Sequence, residues 1–126
     1  MESKMPGKRV MIVEDSPSLA EMVRDELEDA GYEPHLALDG FEALRDIDAF
    51  KPDLIVTDIM MPRVDGFELC AAIHNRVETR DIPFILFSSK FDEATVNRGR
   101  AIGARFFLAK PFKMTDLLDC VAKILG

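Results

Sequence analysis

The sequence predicts an α/β fold in which a parallel sheet is covered by helices on both faces. Three observations carry that prediction. Five short apolar runs recur along the 126 residues: Val10-Met11-Ile12-Val13, His35-Leu36-Ala37-Leu38, Leu54-Ile55-Val56-Thr57, Phe84-Ile85-Leu86-Phe87 and Phe106-Phe107-Leu108-Ala109. The segments between them have helical periodicity, the βαβ pattern of a sheet buried on both sides. Each run delivers a polar residue at or just beyond its C-terminal end, and four of them are followed by Glu14-Asp15, Asp58, Ser88 and Lys110. If the strands are parallel neighbours, these side chains emerge at one sheet edge, where open α/β folds place their ligand sites.

The connecting helices follow in order. Ser16 is placed to cap the first, with Pro17 in its first turn; Leu19, Met22, Val23, Leu27 and Ala30 fall on one stripe before Gly31 ends it. A second helix is expected over about 41–50, stopping before Lys51-Pro52-Asp53. The third starts near Gly66 and is expected to bury Leu69, Cys70, Ile73 and Val77. The fourth, about 92–102, contains Thr95, Val96 and Gly99. An interior glycine costs roughly 0.8–1 kcal/mol relative to alanine, so this helix is expected to be the most mobile. A fifth, about 115–125, turns Leu117, Leu118, Val121 and Ile124 inward. Residues 1–7 are expected to form a flexible N-terminal tail and residues 8–126 one domain.

Composition bounds the function. A chain of this length holds one core, and 48% apolar with 31% charged residues is an ordinary globular balance. No apolar stretch is long enough to span a bilayer and no signal segment is visible, so the expected setting is cytoplasmic, without membrane contact. The net charge of −7 argues against direct nucleic-acid binding, which needs a basic face. Cys70 and Cys120 lack metal-site or redox spacing and are expected to be buried or half-buried apolar residues. No P-loop or dinucleotide fingerprint is present.

The sheet edge is different. Strands lie about 4.8 Å apart, so carboxylates ending the neighbouring first and third strands can share one cation. Mg²⁺ (or Mn²⁺), which takes a few carboxylates and keeps several waters, suits Asp15 and Asp58 with Glu14 nearby. Lys110 supplies a flexible point charge for a phosphoryl group. An aspartate can attack phosphorus when metal and cation neutralise the transferring oxygens, and Asp58 is the central candidate. Ser88 would donate its hydroxyl to the attached oxygens.

These residues, in this order and spacing, resemble the receiver domain of two-component response regulators, over essentially the whole chain from Lys8 to Leu125. The matching pieces are Val13-Glu14-Asp15, the run from Asp58-Ile59-Met60-Met61-Pro62 to Arg63-Val64-Asp65-Gly66, Ser88-Ser89 and Lys110-Pro111-Phe112. The resemblance implies a flavodoxin-like (βα)5 sandwich of strand order 2-1-3-4-5 and a cis Lys110-Pro111 bond. It also implies Asp58 as phospho-acceptor; Glu14, Asp15, Asp58 and the Met60 main-chain carbonyl as metal ligands; Lys110 as phosphate contact; and Ser88 and Phe107 as switch residues. The function implied is a phosphorylation-dependent signalling switch, not a turnover enzyme. Its partners would be a sensor histidine kinase or histidine phosphotransfer protein and an effector, and a phosphorylation-linked dimer is compatible with it. The surface expected to change comprises the fourth helix, fifth strand and fifth helix.

Three positions depart from the commonest pattern: Glu14 stands where aspartate is frequent, Ser88 where threonine is, and Phe107 where tyrosine is. The first two preserve the chemistry, whereas Phe107 leaves any inward switch to ring packing alone. Taken singly, Asp58 would be a turn residue, Lys110 a solvated lysine and Ser88 a strand-end hydroxyl; their joint occurrence outweighs those readings. His35 and His74 are assigned to edge or surface positions, and Met60 and Met61 to loop packing. A haloacid-dehalogenase-like phosphatase needs a second acid two residues after its nucleophile, and Met60 stands there. A pseudo-receiver that only binds partners is disfavoured by Glu14, Asp15, Asp58, Ser88 and Lys110 occurring together.

Overall fold

The computed structural model describes residues 7–61 and 63–126. Of the expected tail, residues 1–6 lie outside the described residues, as does Pro62, and Gly7 lies against the Gly31 carbonyl. Five strands alternate with five helices: β1 (Arg9–Val13), α1 (Pro17–Asp29), β2 (Glu33–Ala37), α2 (Gly40–Phe50), β3 (Leu54–Asp58), α3 (Gly66–His74), β4 (Phe84–Ser88), α4 (Glu93–Ala101), β5 (Ala104–Ala109) and α5 (Met114–Leu125). All pairings are parallel and the strand order is 2-1-3-4-5, as expected.

Alternation along the strands divides the core between the two faces. Met11, Val13, Ile55, Phe84 and Leu86 pack with Ala43 and Ile47 of α2 and Leu69, Cys70 and Ile73 of α3. The intervening residues Val10, Ile12, Leu54, Val56, Ile85 and Phe87 pack with Val23 and Leu27 of α1 and Leu117 and Val121 of α5. Each such side chain contributes about 1.5–3 kcal/mol by leaving water, and a one-residue slip of register would turn a strand's side chains onto the opposite helix layer and disrupt the packing of both.

Aspartates start three of the helices. Asp39, Asp65 and Asp92 accept hydrogen bonds from the backbone N–H groups of Glu42, Glu68 and Thr95 respectively. The Glu68 carboxylate in turn accepts from the Asp65 backbone N–H, completing a capping box at α3. Gly31, at φ +98°, takes the left-handed turn after α1.

Several sequence expectations are corrected. Ser16 occupies the first cap position, but its side chain makes no capping bond. The buried stripe of α1 is Ala20, Val23 and Leu27, with Met22 and Ala30 exposed; Met22 is rotated about 100° from Val23, out of the stripe. Val77 is also exposed, because α3 ends at His74 and the Thr79 hydroxyl turns back to donate to the Ile73 carbonyl at 2.6 Å.

Gly99 is the largest revision. It is the buried residue of α4, and a Cβ there would stand 2.6 Å from Phe107 Cε1 and 2.9 Å from Leu86 Cδ1. The glycine is thus a seat for an aromatic ring, and its helix-propensity cost is exchanged for close approach.

Other expectations hold. Lys110-Pro111 is cis. Cys70 is buried and Cys120 half-buried, both unbonded, and burial pushes the Cys70 thiol pKa up. His35 lies on edge strand β2, stacked on Phe50 and 2.8 Å from Asp46, and His74 is exposed.

Candidate functional site

Sheet register carries the polar residues to one edge. Val13 pairs with Thr57, Asp58 with Phe87, and Ser88 with Ala109. The ladder then runs past the strand ends: Glu14 N–H donates to Ala37 O, Ile59 N–H to Phe87 O, and Lys110 N–H to Ser88 O at 2.8 Å. Residues 14, 58, 88 and 110 are therefore fixed by backbone bonds before their side chains interact.

Asp58 ends β3 and is 3% exposed. Its Oδ1 accepts from the Met60 backbone N–H at 3.0 Å, and its Oδ2 accepts from Lys110 Nζ at 2.5 Å. Glu14, 1% exposed, accepts from the same Lys110 Nζ at 2.9 Å through Oε1 and from Ser16 N–H through Oε2. One ammonium thus bridges two buried carboxylates that are 44 residues apart in sequence. Close packing beneath Asp58 comes from Gly66: its N–H donates to Ile59 O at 2.8 Å, and a Cβ would meet the Asp58 carbonyl oxygen and stand 2.7 Å from Ile59 Cα.

Burial dominates Glu14 and pushes its pKa up against the hydrogen bond from Lys110. For Lys110, burial works against the charge, but hydrogen bonds to Asp58 and Glu14 outweigh it and its pKa is raised. Glu14, Asp15 and Asp58 each offer an oxygen, all within 4.8 Å of one another. Three carboxylates facing one ammonium leave two negative charges when all are ionised, and a hard divalent cation with oxygen ligands matches that excess. The donor set therefore fits Mg²⁺ or Mn²⁺.

Ser88 is 4% exposed and its Oγ accepts from Lys90 N–H at 3.2 Å. Phe107 packs edge-on to Phe91 and against Gly99, away from the carboxylates in contact but on the next strand from Ser88. Of the two methionines assigned to loop packing, Met61 packs into the core and Met60 is exposed. The Met60 backbone is tied to Asp58, and the chain enters the core one residue later.

Two features escaped the sequence reading. Arg63, at φ 67°, pairs with the α2 cap Asp39 at 2.6 Å and clamps the loop after Asp58 to α2. Arg98 of α4 places its guanidinium carbon 4.2 Å from the ring centroid of Phe67 at the start of α3. Neither pairing has a spacing signal; each joins residues distant in sequence.

Comparison with known proteins agrees with the geometry. The family model of the response regulator receiver domain matches residues 10–122. PilG of Pseudomonas aeruginosa is 38% identical over 124 residues, covering 96% of this chain and 90% of PilG. The phosphate regulon transcriptional regulatory protein PhoB of Rhizobium meliloti is 35% identical, and the match covers 52% of its length, so the chain spans about half of that relative. The chemotaxis protein CheY4 of Vibrio cholerae superposes with a TM-score of 0.90 at 34% identity, covering 94% of this chain and 99% of CheY4. Among the described residues no helix is long and apolar enough to cross a membrane. With the parallel 2-1-3-4-5 sheet, the acidic triad and Lys110 at its edge, and this match from β1 into α5, the chain belongs to the response regulator receiver domain family.

Proposed function

We propose that this receiver domain accepts a phosphoryl group on Asp58 from the phosphohistidine of a sensor kinase or histidine phosphotransfer protein, and that the phosphoryl group controls a downstream effector. The observation that carries the reading is the Lys110 ammonium held between Asp58 and Glu14, in an edge pocket where three carboxylates converge. An Asp58 carboxylate oxygen forms the new P–O bond as the P–N bond to the donor imidazole breaks, and the electron pair leaves on the imidazole nitrogen.

Each residue has a physical task. Met60 N–H holds Asp58 Oδ1 and so orients the carboxylate. Lys110 offers its charge to the phosphoryl oxygens, and Ser88 its hydroxyl. Glu14, Asp15, Asp58 and the Met60 carbonyl would hold Mg²⁺ (or Mn²⁺), which when bound neutralises charge on the transferring oxygens. Burial of Asp58 and Glu14 excludes water from their oxygens and strengthens these interactions. The domain promotes its own modification and its loss without acting as a turnover enzyme, and a cytoplasmic setting goes with that role.

Ser88 drawn toward the phosphoryl oxygens frees space for Phe107, and the surface formed by α4, β5 and α5 changes for the effector or a second copy of the chain. The decisive test is incubation with acetyl phosphate and Mg²⁺ followed by mass spectrometry. One phosphoryl group is expected on the wild type and none on Asp58→Asn; equal modification of the variant removes Asp58 as acceptor.

A further inference from the structure

α4 carries little apolar surface of its own, and its docking depends on rings supplied by other elements. Gly99 is its buried residue, seated against Phe107 of β5, and Arg98 lies over Phe67 of α3. Arg98 also lines a cavity of about 420 Å³ together with Met60, Phe67, Ser88, Ser89 and Lys90. Met60 and Ser88 bring that cavity to the acceptor: Met60 N–H is bonded to Asp58, and Ser88 ends the strand beside it.

The charges around Arg98 are informative. Asp65 and Asp92 line the same cavity, but each is engaged as a helix cap, accepting from Glu68 N–H and Thr95 N–H. Among the described residues Arg98 makes no ion pair within 4.0 Å. Its guanidinium is steered by an aromatic face, a weak and non-exclusive hold that leaves its N–H donors available for an anion.

We propose that Arg98 is a phosphoryl-sensing residue, through which α4 responds directly to the negative charge placed on Asp58. The inference rests on Asp58 being the acceptor. An aspartyl-phosphate there carries about two negative charges in place of the carboxylate's one, on three strong acceptor oxygens beside the cavity. Arginine matches such an anion with paired N–H donors. Arg98 is then drawn along or off the Phe67 ring, and α4 moves with it. This route needs no hydroxyl at position 107, and so operates in parallel with ring packing of Phe107.

The experiment uses the whole chain with acetyl phosphate and Mg²⁺, reading phosphorylation by mass and hydrogen exchange in residues 93–101. Arg98→Gln is expected to be phosphorylated on Asp58 while its phosphorylation-induced change in α4 exchange falls about two- to fivefold, the size of an exposed charge interaction. Arg98→Lys, which retains charge, should keep an intermediate response, and raising salt should diminish the wild-type response more than that of Arg98→Gln. Phe67→Leu, which keeps Arg98 but removes its aromatic seat, should speed α4 exchange before phosphorylation and still respond afterwards. An undiminished, equally salt-sensitive response in Arg98→Gln overturns the proposal. Absence of phosphorylation in the wild type would instead overturn the acceptor assignment.

Discussion

Replacing Gly66 with alanine adds a methyl where α3 begins directly beneath the acceptor. The new Cβ would lie 2.7 Å from Ile59 Cα and would also collide with the Asp58 carbonyl oxygen. Carbon atoms in contact prefer about 3.5–4.0 Å, so α3 or the end of β3 must shift by roughly 1 Å. Both obstacles are backbone and no flexible side chain can absorb the shift. Overpacking of this kind costs about 1–3 kcal/mol, against which alanine's better helix propensity in a first-turn position returns little. For a domain of this size that is a Tm lower by about 5–15 °C. Because the displaced atoms carry Asp58, its reaction with acetyl phosphate should slow as well, since a 1 Å misplacement can cost up to about 100-fold. Gly31→Ala separates the two effects. There a Cβ meets nothing within 4 Å but the backbone is left-handed, so about 1–2 kcal/mol is lost with no change in phosphorylation rate. Urea denaturation and the rate of mass gain measure both. If Gly66→Ala is as stable as the wild type and is phosphorylated at the same rate, the steric argument is wrong.

Other outcomes follow from the same geometry. Mg²⁺ should raise the Tm, by linkage worth about 2.7 kcal/mol at a hundredfold excess over Kd, and Asp15→Ala should lose most of that rise; an equal response would take Asp15 out of the site. Gly99→Ala should speed exchange in residues 93–101 although alanine favours helix, because its methyl meets Phe107 and Leu86; adding Phe107→Leu should lessen the effect, and slower exchange in the single variant would contradict the ring seat. Met60 is exposed two residues after Asp58, so Met60→Glu should shorten the phosphorylated lifetime by orienting water; an unchanged lifetime would place water control elsewhere. Hydrogen bonds from Arg45 and His35 hold Asp46 down at about 2. A depressed carboxylate stabilises the fold above its unfolded pKa of about 3.9, so Asp46→Asn should be less stable near neutrality. The difference in urea midpoint should narrow as pH falls from about 4 toward 2, and a constant gap would exclude the ion pair as its cause.

Much of this protein was legible in its sequence because the determining signals are local. Runs such as Leu54-Ile55-Val56 and Phe84-Ile85-Leu86 read as doubly buried strands, and parallel strands have their C-terminal residues at one edge wherever their neighbours lie. Glu14, Asp15, Asp58, Ser88 and Lys110 could therefore be grouped without coordinates, and their order and spacing pointed to the family. Tertiary structure decided what depends on contact between distant segments. It showed that Lys110 bridges Asp58 and Glu14, that Val77 lies beyond the end of α3 and is exposed, and that Arg98 rests on Phe67. Gly99 shows the difference most clearly. Propensity registers a glycine only as a weak point in its own helix, while the reason for the missing side chain is the Phe107 ring arriving from β5.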